Sequence, residues 1–334
     1  MHEKLIPLKN IQNEDVTHLV FPIPRLNQDK RNDFGSLAEV AVIRGVKPEG
    51  ATGQAHDSIC ISCATGCPVG CGFCATGDHS KESPYFSLSA EEMIQQVIST
   101  QEIVRSSEPE FGKRGLSISF MGKGEPELNP DAVVDAYLQM MNEGIVTRGT
   151  IATTGRADLL SKLARTYREK RGNSDIPAPY LQLSLSSPLR NQRNKLIGNE
   201  KLRPDFKETL AVAAQEYAPL LVPDTKISIR ITLMNNSSWG SNYSFEALDF
   251  LIKETTQANR QFGIKGKFGG FYVVVANLNQ SETSIKNGIS PGHEEDVDAV
   301  IEYLKQNGIE ARPFAGGSVL GSDKDGACGT MNDG

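Results

Sequence analysis

The chain has 334 residues, of which 38% are hydrophobic and 23% charged, a composition typical of a globular protein large enough to bury a sizeable core. No apolar run approaches the roughly 18 residues of a membrane span, and the charged first residues lack the apolar stretch of a signal peptide, so the sequence predicts a cytoplasmic protein. The net charge of −6 argues against a broad basic surface for non-specific nucleic-acid binding, although it is compatible with a local basic patch.

The sequence pattern divides the chain into three parts. Residues 1–55 are irregular, with several prolines, and predict a short N-terminal region that has one strand at 37–43 and could form a small β element. Residues 56–315 alternate β-rich runs with helical patterns and predict the core of the protein. Residues 316–334 are rich in Gly, Ser and Asp and predict a mobile C-terminal tail.

Within the core, a first strand is predicted to end at a cluster of cysteines. The other predicted strands are at 117–121, 149–154, 180–186, 227–233 and 271–276. The predicted helices are at 90–104, 131–142, 157–168, 205–217, 245–256 and 294–306. Helix starts are predicted at Ser87 or Ser89 and at Ser244, and a helix end is predicted just before Gly308.

This alternation repeats about six times and predicts an α/β fold with a parallel sheet. Six units that close part-way round give an incomplete (βα)6 barrel, and a doubly wound open sheet is the alternative. In both architectures ligands gather at the carboxyl ends of the strands, so functional residues are expected at that edge.

The six cysteines are distributed unevenly along the chain. Five fall within fifteen residues, and the sixth is Cys328. Cys67, Cys71 and Cys74 have the spacing C-x3-C-x2-C, which resembles that of the radical S-adenosylmethionine (SAM) superfamily. Three thiolates can bind three irons of a [4Fe–4S] cluster and leave the fourth iron for the amino and carboxylate groups of SAM.

A zinc site is the alternative interpretation of the same cysteines. Cys60-x2-Cys63 and Cys71-x2-Cys74 form two pairs of the kind seen in zinc ribbons. The pairs are closer together than the usual roughly 15–20 residues, and zinc would leave Cys67 unused. A non-enzymatic zinc-binding or electron-carrier module therefore stays open at this point.

A second motif, FMGKGEP at 120–126, directly follows a predicted strand. It resembles the glycine-rich turn that binds the amino group of SAM in radical-SAM proteins. Gly124 would allow the backbone to approach the ligand closely, and Glu125 would pair with the ammonium group. Taken alone, the segment could also be an ordinary glycine-rich βα turn.

Taken together, four segments resemble the RlmN/Cfr family of radical-SAM RNA methyltransferases, which methylate C2 or C8 of an adenine in RNA. The segments are CISCATGCPVGCGFCATG at 60–77, FMGKGEPELN at 120–129, LSLSSP at 183–188 and GACG at 326–329. The resemblance extends over roughly residues 39–330.

The resemblance implies a mechanism that uses two cysteines outside the cluster. One SAM methylates Cys328, and a second SAM yields a 5′-deoxyadenosyl radical that removes a hydrogen from the new S-methyl group. The resulting radical adds to an electron-poor amidine carbon of adenine. Cys60 then helps to resolve the covalent adduct, which leaves a Cys60–Cys328 disulfide. Glu39 matches a family glutamate that is assigned to proton transfer.

The resemblance implies further SAM-binding residues and partners. Ser184 and Asn279 match residues that contact SAM, and Ser186 stands where the family has histidine. An RNA substrate, either rRNA or tRNA, and a reducing electron donor such as flavodoxin or ferredoxin are implied for a monomeric enzyme. An enzyme of the same fold that acts on a small molecule or peptide is the alternative.

A basic cluster follows the predicted strand at 180–186. Arg190, Arg193 and Lys195 are expected at the ligand-binding face, where they could contact phosphate groups of a nucleic acid.

Overall fold

The computed structural model describes residues 5–12, 16–23, 37–46, 56–77, 85–263 and 268–314. The strands are β1 (Lys9–Gln12), β2 (Val16–Pro22), β3 (Leu37–Val46), β4 (His56–Ile61), β5 (Leu116–Phe120), β6 (Arg148–Thr153), β7 (Tyr180–Ser184), β8 (Ile227–Asn236), β9 (Gly240–Ser241), β10 (Phe271–Asn277), β11 (Ile289–Pro291) and β12 (Ala311–Pro313). The helices are α1 (Ala90–Ser107), α2 (Pro130–Asn142), α3 (Ala157–Arg171), α4 (Arg190–Leu196), α5 (Phe206–Val212), α6 (Phe245–Phe262), α7 (Glu282–Lys286) and α8 (Glu294–Gln306).

The main sheet runs in the order β1-β2-β3-β4-β5-β6-β7-β8-β10-β12. The strands from β4 to β8 are parallel to one another, and β10 and β12 continue the parallel sheet. Over the described residues the path has two ends, so the sheet does not close on itself. Six parallel strands, β4 to β8 and β10, each lead into helical chain, which confirms the predicted α/β fold with an incomplete (βα)6 barrel.

The two faces of the parallel sheet differ in chemistry. One face carries the apolar core under the helices, with residues such as Ile59, Ile118, Ile151, Ile229 and Val273. The opposite, inner face carries mostly small or polar side chains, because each strand alternates. The inner-face positions from β4 to β8 are Ser58, Cys60, Ser117, Ser119, Thr150, Ala152, Gln182, Ser184, Ser228, Arg230 and Thr232. Helices that cover a single apolar face are the arrangement of a barrel rather than of a doubly wound sheet.

The N-terminal region is more regular than its sequence predicts. β1, β2 and β3 form an antiparallel meander that joins the barrel because β3 pairs with β4. The expectation of one strand in an irregular segment is therefore wrong for β1 and β2. The strands are missed because Pro22 and its surroundings indicate a loop, whereas Pro22 in fact occupies the last position of β2.

Several helix ends follow the predicted local chemistry. The Ser89 hydroxyl accepts the backbone N–H of Glu92, whose carboxylate accepts the backbone N–H of Ser89 in return, so Ser89 rather than Ser87 begins α1. Ser244 caps α6, and Gly308 adopts a positive φ of 78° just after α8. In the described part of the chain, no helix combines the length and apolar character needed to cross a membrane.

Candidate active site

The carboxyl edge of the sheet holds most of the residues singled out in the sequence. The cysteine loop follows β4, the Gly-Lys-Gly-Glu turn follows β5, and Asn279 follows β10. β3 runs antiparallel to β4, so its first residues, including Glu39, lie at this same edge. The fold thus brings together groups that are far apart along the chain.

The cysteine loop is fixed by hydrogen bonds from two distant segments. The backbone N–H of Gly72 donates to the carbonyl of Leu196 (2.8 Å), and Cys71 forms a bridge with Ile197. On the other side, the Asn287 side chain donates to the carbonyl of Gly72 (2.8 Å). The loop is therefore held in shape by main-chain contacts that do not use the thiols.

An apolar anchor adds to these bonds. The ring of Phe73 packs against a small cluster formed by Leu196, Met234, Leu278 and Ile289. Because the anchor lies between two cysteines of the loop, it fixes the turn that presents Cys71 and Cys74.

The thiols of the loop influence one another electrostatically. Burial raises the pKa of the Cys67 thiol well above its ordinary value, and the charges of Cys71, Glu125 and Cys74 add to the rise. Burial likewise raises the pKa of Cys71, followed by the charges of Cys74 and Glu125. The protein alone therefore favours protonated thiols, and a positively charged occupant is needed to hold them as thiolates.

The donor set of the cysteine loop fits an iron–sulfur cluster. Cys67, Cys71 and Cys74 lie close enough for the charge of one thiolate to raise the pKa of another. In a cubane three thiolates can each bind a different iron.

The turn after β5 packs tightly against the chain that leads into the cysteine loop. Gly124 has a φ of +106°, and a Cβ atom placed there would lie 2.6 Å from the Sγ of Cys63 and 2.9 Å from the backbone nitrogen of Ala64. A side chain at position 124 would therefore push the turn away from the loop. Cys63, to which the family resemblance gives no role, is the buried residue that fills the space opposite this glycine.

Glu125 is held in place by backbone donors. Its carboxylate accepts the N–H of Thr154 at 3.0 Å and the N–H of Glu127 at 3.4 Å. Burial raises its pKa, whereas hydrogen bonds from Thr153, Thr154 and Glu127 oppose the rise. Glu125 is close enough to Cys63, Cys67 and Cys71 to raise the pKa of each of them, so it faces the cysteine loop.

Cys60 and Glu39 occupy neighbouring strands. Cys60 pairs with Ala41 of β3 and with Ser119 of β5, and it packs against Ala41 and Met121. Glu39 is two residues before Ala41 and therefore shares the inner face with Cys60.

Glu39 is almost completely buried between two basic side chains. Its Oε1 lies 2.5 Å from Nζ of Lys123, and its Oε2 lies 3.1 Å from Nε2 of His18. Burial raises the pKa of Glu39, but the bonds and charges of His18 and Lys123 outweigh burial and hold the pKa below its ordinary value.

The remaining predicted contacts lie on the strand ends beyond β6. Ser184 ends β7 and pairs with Arg230 on the inner face. Ser186 is buried with a positive φ of 56°, and its carbonyl accepts a hydrogen bond from Asn242 (2.6 Å). Asn279 is partly exposed after β10. Cys328 lies outside the described residues.

The basic cluster after β7 is only partly available for a ligand. Arg193 is 1% exposed and donates hydrogen bonds to the carbonyls of Ser187, Pro188 and Pro204. The expectation that Arg193 contacts phosphate is therefore wrong, because α4 turns this side chain into the protein. Arg190 and Lys195 are exposed.

Sequence reasoning missed Lys123 and His18. Lys123 stands between the two glycines of the turn after β5, and a charged residue inside a motif that must be buried was a usable signal. His18 carried no signal, because β2 was not predicted and its distance from Glu39 depends on strand pairing.

Comparison with known proteins identifies relatives over most of the chain. No family profile matches the sequence. A probable dual-specificity RNA methyltransferase RlmN from Desulfitobacterium hafniense (strain Y51) is 29% identical over 279 residues, which cover 82% of this chain and 67% of the relative. A protein of the same name from Prochlorococcus marinus (strain NATL1A) is 30% identical over 280 residues, covering 82% of this chain and 66% of the relative. The chain thus spans about two thirds of the length of these relatives.

A solved structure has the same fold. The crystal structure of a radical SAM methyltransferase from Sphaerobacter thermophilus superposes with a TM-score of 0.72 over 99% of this chain and 82% of that one, at 21% identity. The curated relatives and this shared fold agree with the cysteine loop and the turn after β5. The chain therefore belongs to the RlmN/Cfr-like family of radical-SAM RNA methyltransferases.

Proposed function

We propose that this radical-SAM methyltransferase methylates an amidine carbon, C2 or C8, of an adenine in RNA through an S-methylcysteine on Cys328. The observation that carries the proposal is the convergence of Cys60, the cysteine loop and Glu125 at one edge of the sheet. Family membership supports it, because the curated relatives are named as RNA methyltransferases.

In this proposal Cys67, Cys71 and Cys74 hold a [4Fe–4S] cluster, and Glu125 and Gly124 bind SAM beside it. When bound, the cluster and SAM together supply an electron and a 5′-deoxyadenosyl radical. Glu125 suits the amino group of SAM because its carboxylate is already oriented by the N–H groups of Thr154 and Glu127. Ser184, Ser186 and Asn279 line the same edge and would complete the SAM site.

A radical route suits the proposed substrate. An amidine carbon of adenine is electron-poor and does not attack the methyl group of SAM directly. A carbon radical can add to it, and a thioether can first carry that radical and then leave. Cys328 is the proposed carrier.

Cys60 is the proposed resolving residue, since it lies on the inner face of β4, just before the cysteine loop. Its neighbours there are the small residue Ala41 and the flexible residue Met121, which leave its thiol facing the interior of the barrel. Glu39 on the adjacent strand would accept or return the proton that the resolution step requires.

The RNA substrate rests on the relatives' names and on the exposed Arg190 and Lys195, which can contact phosphates after β7. An electron donor of the flavodoxin or ferredoxin class would reduce the cluster. We expect the enzyme to act as a monomer.

Anaerobic turnover with SAM, dithionite and total RNA tests the proposal. We expect 5′-deoxyadenosine and a methyladenosine to form together, and mass spectrometry should find a methyl or methylene group on Cys328. Cys60→Ala should stop release of methylated RNA and leave RNA attached to the protein, whereas the matched variant Cys63→Ala should release it. Formation of 5′-deoxyadenosine without any methylated RNA, with Cys328 unmodified, would contradict the proposal and point to a small-molecule or peptide substrate.

A further inference from the structure

Three ionisable side chains meet at the carboxyl edge beside Cys60, and we call them the charged corner: His18, Glu39 and Lys123. They come from β2, β3 and the turn after β5. Lys123 Nζ lies 2.5 Å from one Glu39 oxygen, and His18 Nε2 lies 3.1 Å from the other. Glu39 is 4% exposed and Lys123 3% exposed, so the ion pair is shielded from solvent.

The protonation pattern of the charged corner follows from these contacts. An ionised carboxylate only accepts hydrogen bonds, so the Nε2 of His18 must carry a proton and donate it to Glu39. Lys123 donates to the other oxygen. Both oxygens of Glu39 are therefore engaged by hydrogen-bond donors.

The backbone of this region does not need the ion pair to keep its shape. The Ser62 hydroxyl accepts the N–H of Glu39 (3.0 Å) and donates to the carbonyl of the same residue (2.8 Å). It also accepts the N–H of Lys123 (3.3 Å), and Gln96 holds the backbone of Ser62 in turn. Neutral bonds thus join β3, β4 and the turn after β5.

A buried ion pair contributes little net stability, because desolvation of the two charges offsets their attraction. Buried groups with shifted protonation equilibria are, in contrast, common at sites of proton transfer. The charged corner also lies close to a group that must exchange a proton. Glu39 is two residues from Ala41, the partner of Cys60, which is a separation of about 7 Å along the strand. Met121 packs on Cys60 and is two residues before Lys123.

We propose that Lys123 and His18 are positioning residues that keep Glu39 as a carboxylate and orient it toward Cys60, so that Glu39 exchanges the proton of adduct resolution. This inference rests on the function proposed above. The resolution step starts from the closed-shell adduct, in which the ring hydrogen and the unpaired electron have already left and the Cys328 sulfur is joined to the adenine carbon through CH2. In this step the Cys60 thiol gives its proton to Glu39, and the thiolate forms an S–S bond with Cys328. The electron pair of the Cys328 S–CH2 bond passes to the methylene carbon, which takes the proton from Glu39 and becomes the methyl group.

The groups around Glu39 determine the direction of its pH dependence. His18 faces it from β2, Lys123 from the turn after β5 and Ser62 from the residue after β4, while α1 reaches the corner with the neutral Gln96 and Cys60 lies on the same face of β4 opposite Ala41. Without Lys123, only His18 opposes the rise that burial causes in the pKa of Glu39, so this pKa should increase. The rate should then begin to fall at a higher pH on the acid side.

The test compares Lys123→Met with Lys123→Arg in the full-length, cluster-loaded enzyme, and Lys113→Met serves as the control. Lys113 is exposed and pairs with Glu110, outside the site. We expect Lys123→Met to lower kcat for RNA methylation on the order of 10²-fold, the usual contribution of a positioned proton donor or acceptor. Its acid limb should move to higher pH, because the charge that favours the carboxylate is lost. Lys123→Arg should recover most of the rate, and Lys113→Met should match the wild type.

Two steps that precede resolution separate this inference from the proposed function. Methylation of Cys328 and formation of 5′-deoxyadenosine should persist in Lys123→Met while RNA accumulates as a covalent adduct. Absence of both in the wild type would refute the proposed function itself. A wild-type pH profile and rate in Lys123→Met, with normal product from the wild type, would overturn only the role of the charged corner.

Isosteric substitutions keep the test decisive if Lys123→Met fails to fold. Glu39→Gln should abolish the acid limb, and His18→Gln should shift it in the same direction as loss of Lys123. Combining His18→Gln with Glu39→Gln should lower the rate no further than Glu39→Gln alone, since His18 acts through Glu39. A clear additional loss in the double variant would mean that His18 acts independently and would contradict the proposal.

Discussion

The cysteine loop and the charged corner lie at the same edge of the sheet but are built in different ways. The loop takes its three thiols from eight consecutive residues and is anchored by neutral bonds from Leu196 and Asn287. The charged corner takes one residue from each of three separate segments and holds them by charge. The loop should therefore tolerate substitutions around it as long as its three thiols are kept. The charged corner depends instead on the balance of charge among His18, Glu39 and Lys123.

The largest expected effect is the difference between substituting Cys71, one of the three thiols of the loop, and substituting Cys63, which precedes the loop. Cys71→Ser should abolish both iron binding and methylation, because a cubane held by two thiolates loses an essential ligand. Iron and sulfide analysis with the visible absorption spectrum of anaerobically purified protein measures this. Cys63→Ala should retain iron, since Cys63 is a buried core residue that packs against Gly124 and is not one of the three proposed cluster ligands. Loss of metal in Cys63→Ala would instead favour a site built from the two C-x2-C pairs.

The second effect tests whether the charged corner behaves as a coupled unit. Lys123→Met leaves Glu39 buried with one basic partner and should lower the free energy of unfolding by about 3–5 kcal/mol. Combining it with Glu39→Met should restore most of the loss, because no unpaired charge remains buried. Denaturant titrations give both values. Lys113→Met, at an exposed ion pair, should cost less than about 1 kcal/mol. Additive losses in the double variant would show that the two residues are not coupled.

The third effect concerns the turn that joins the two regions. Gly124→Ala should lower the free energy of unfolding by about 2–4 kcal/mol, since it adds both backbone strain and a clash with Cys63. Gly144 also has a positive φ, but a Cβ there would meet open space, so Gly144→Ala should cost only about 1 kcal/mol of strain. Equal costs in urea denaturation would mean that the close approach of the turn to the loop is unimportant.

The smallest effect is a pH dependence of stability at Glu39. Burial raises its pKa, but His18 and Lys123 lower it further, so the folded value lies below the unfolded value of about 4.3. Such a group stabilises the fold fully above the unfolded pKa and loses that contribution as the pH falls through the folded value. The stability difference between wild type and Glu39→Gln should therefore be constant from pH 7 to about 5 and shrink below about pH 4. A difference that grows on acidification would contradict the lowered pKa.

The contrast between the regions also explains what the sequence could predict. The thiol spacing and the glycine-rich turn are local patterns, so Cys67, Cys71, Cys74 and Glu125 can be singled out before any fold is known. The strands and helices of the barrel follow from periodicity, and the helix at 294–306 has the predicted bounds.

The charged corner could not be predicted in the same way. The contact of His18 with Glu39 depends on the pairing of β2 with β3. The contact of Lys123 with Glu39 depends on the strand order β3-β4-β5, which brings the turn after β5 within reach of β3 across β4. Arg193 failed as a phosphate contact for a related reason. The segment 190–196 lacks apolar periodicity, and tertiary hydrogen bonds from Arg193 bury it as a helix.

The polar inner face of the sheet has a consequence for how ligands enter the barrel. A ligand that approaches Gln182, Ser228 and Arg230 exchanges hydrogen bonds with water for hydrogen bonds with protein and covers little apolar protein surface. The heat-capacity change on binding should then be small for the area covered, and the driving force should be mainly enthalpic. Ligand binding in this barrel is thus closer to a transfer between two polar environments than to a transfer from water into an apolar one.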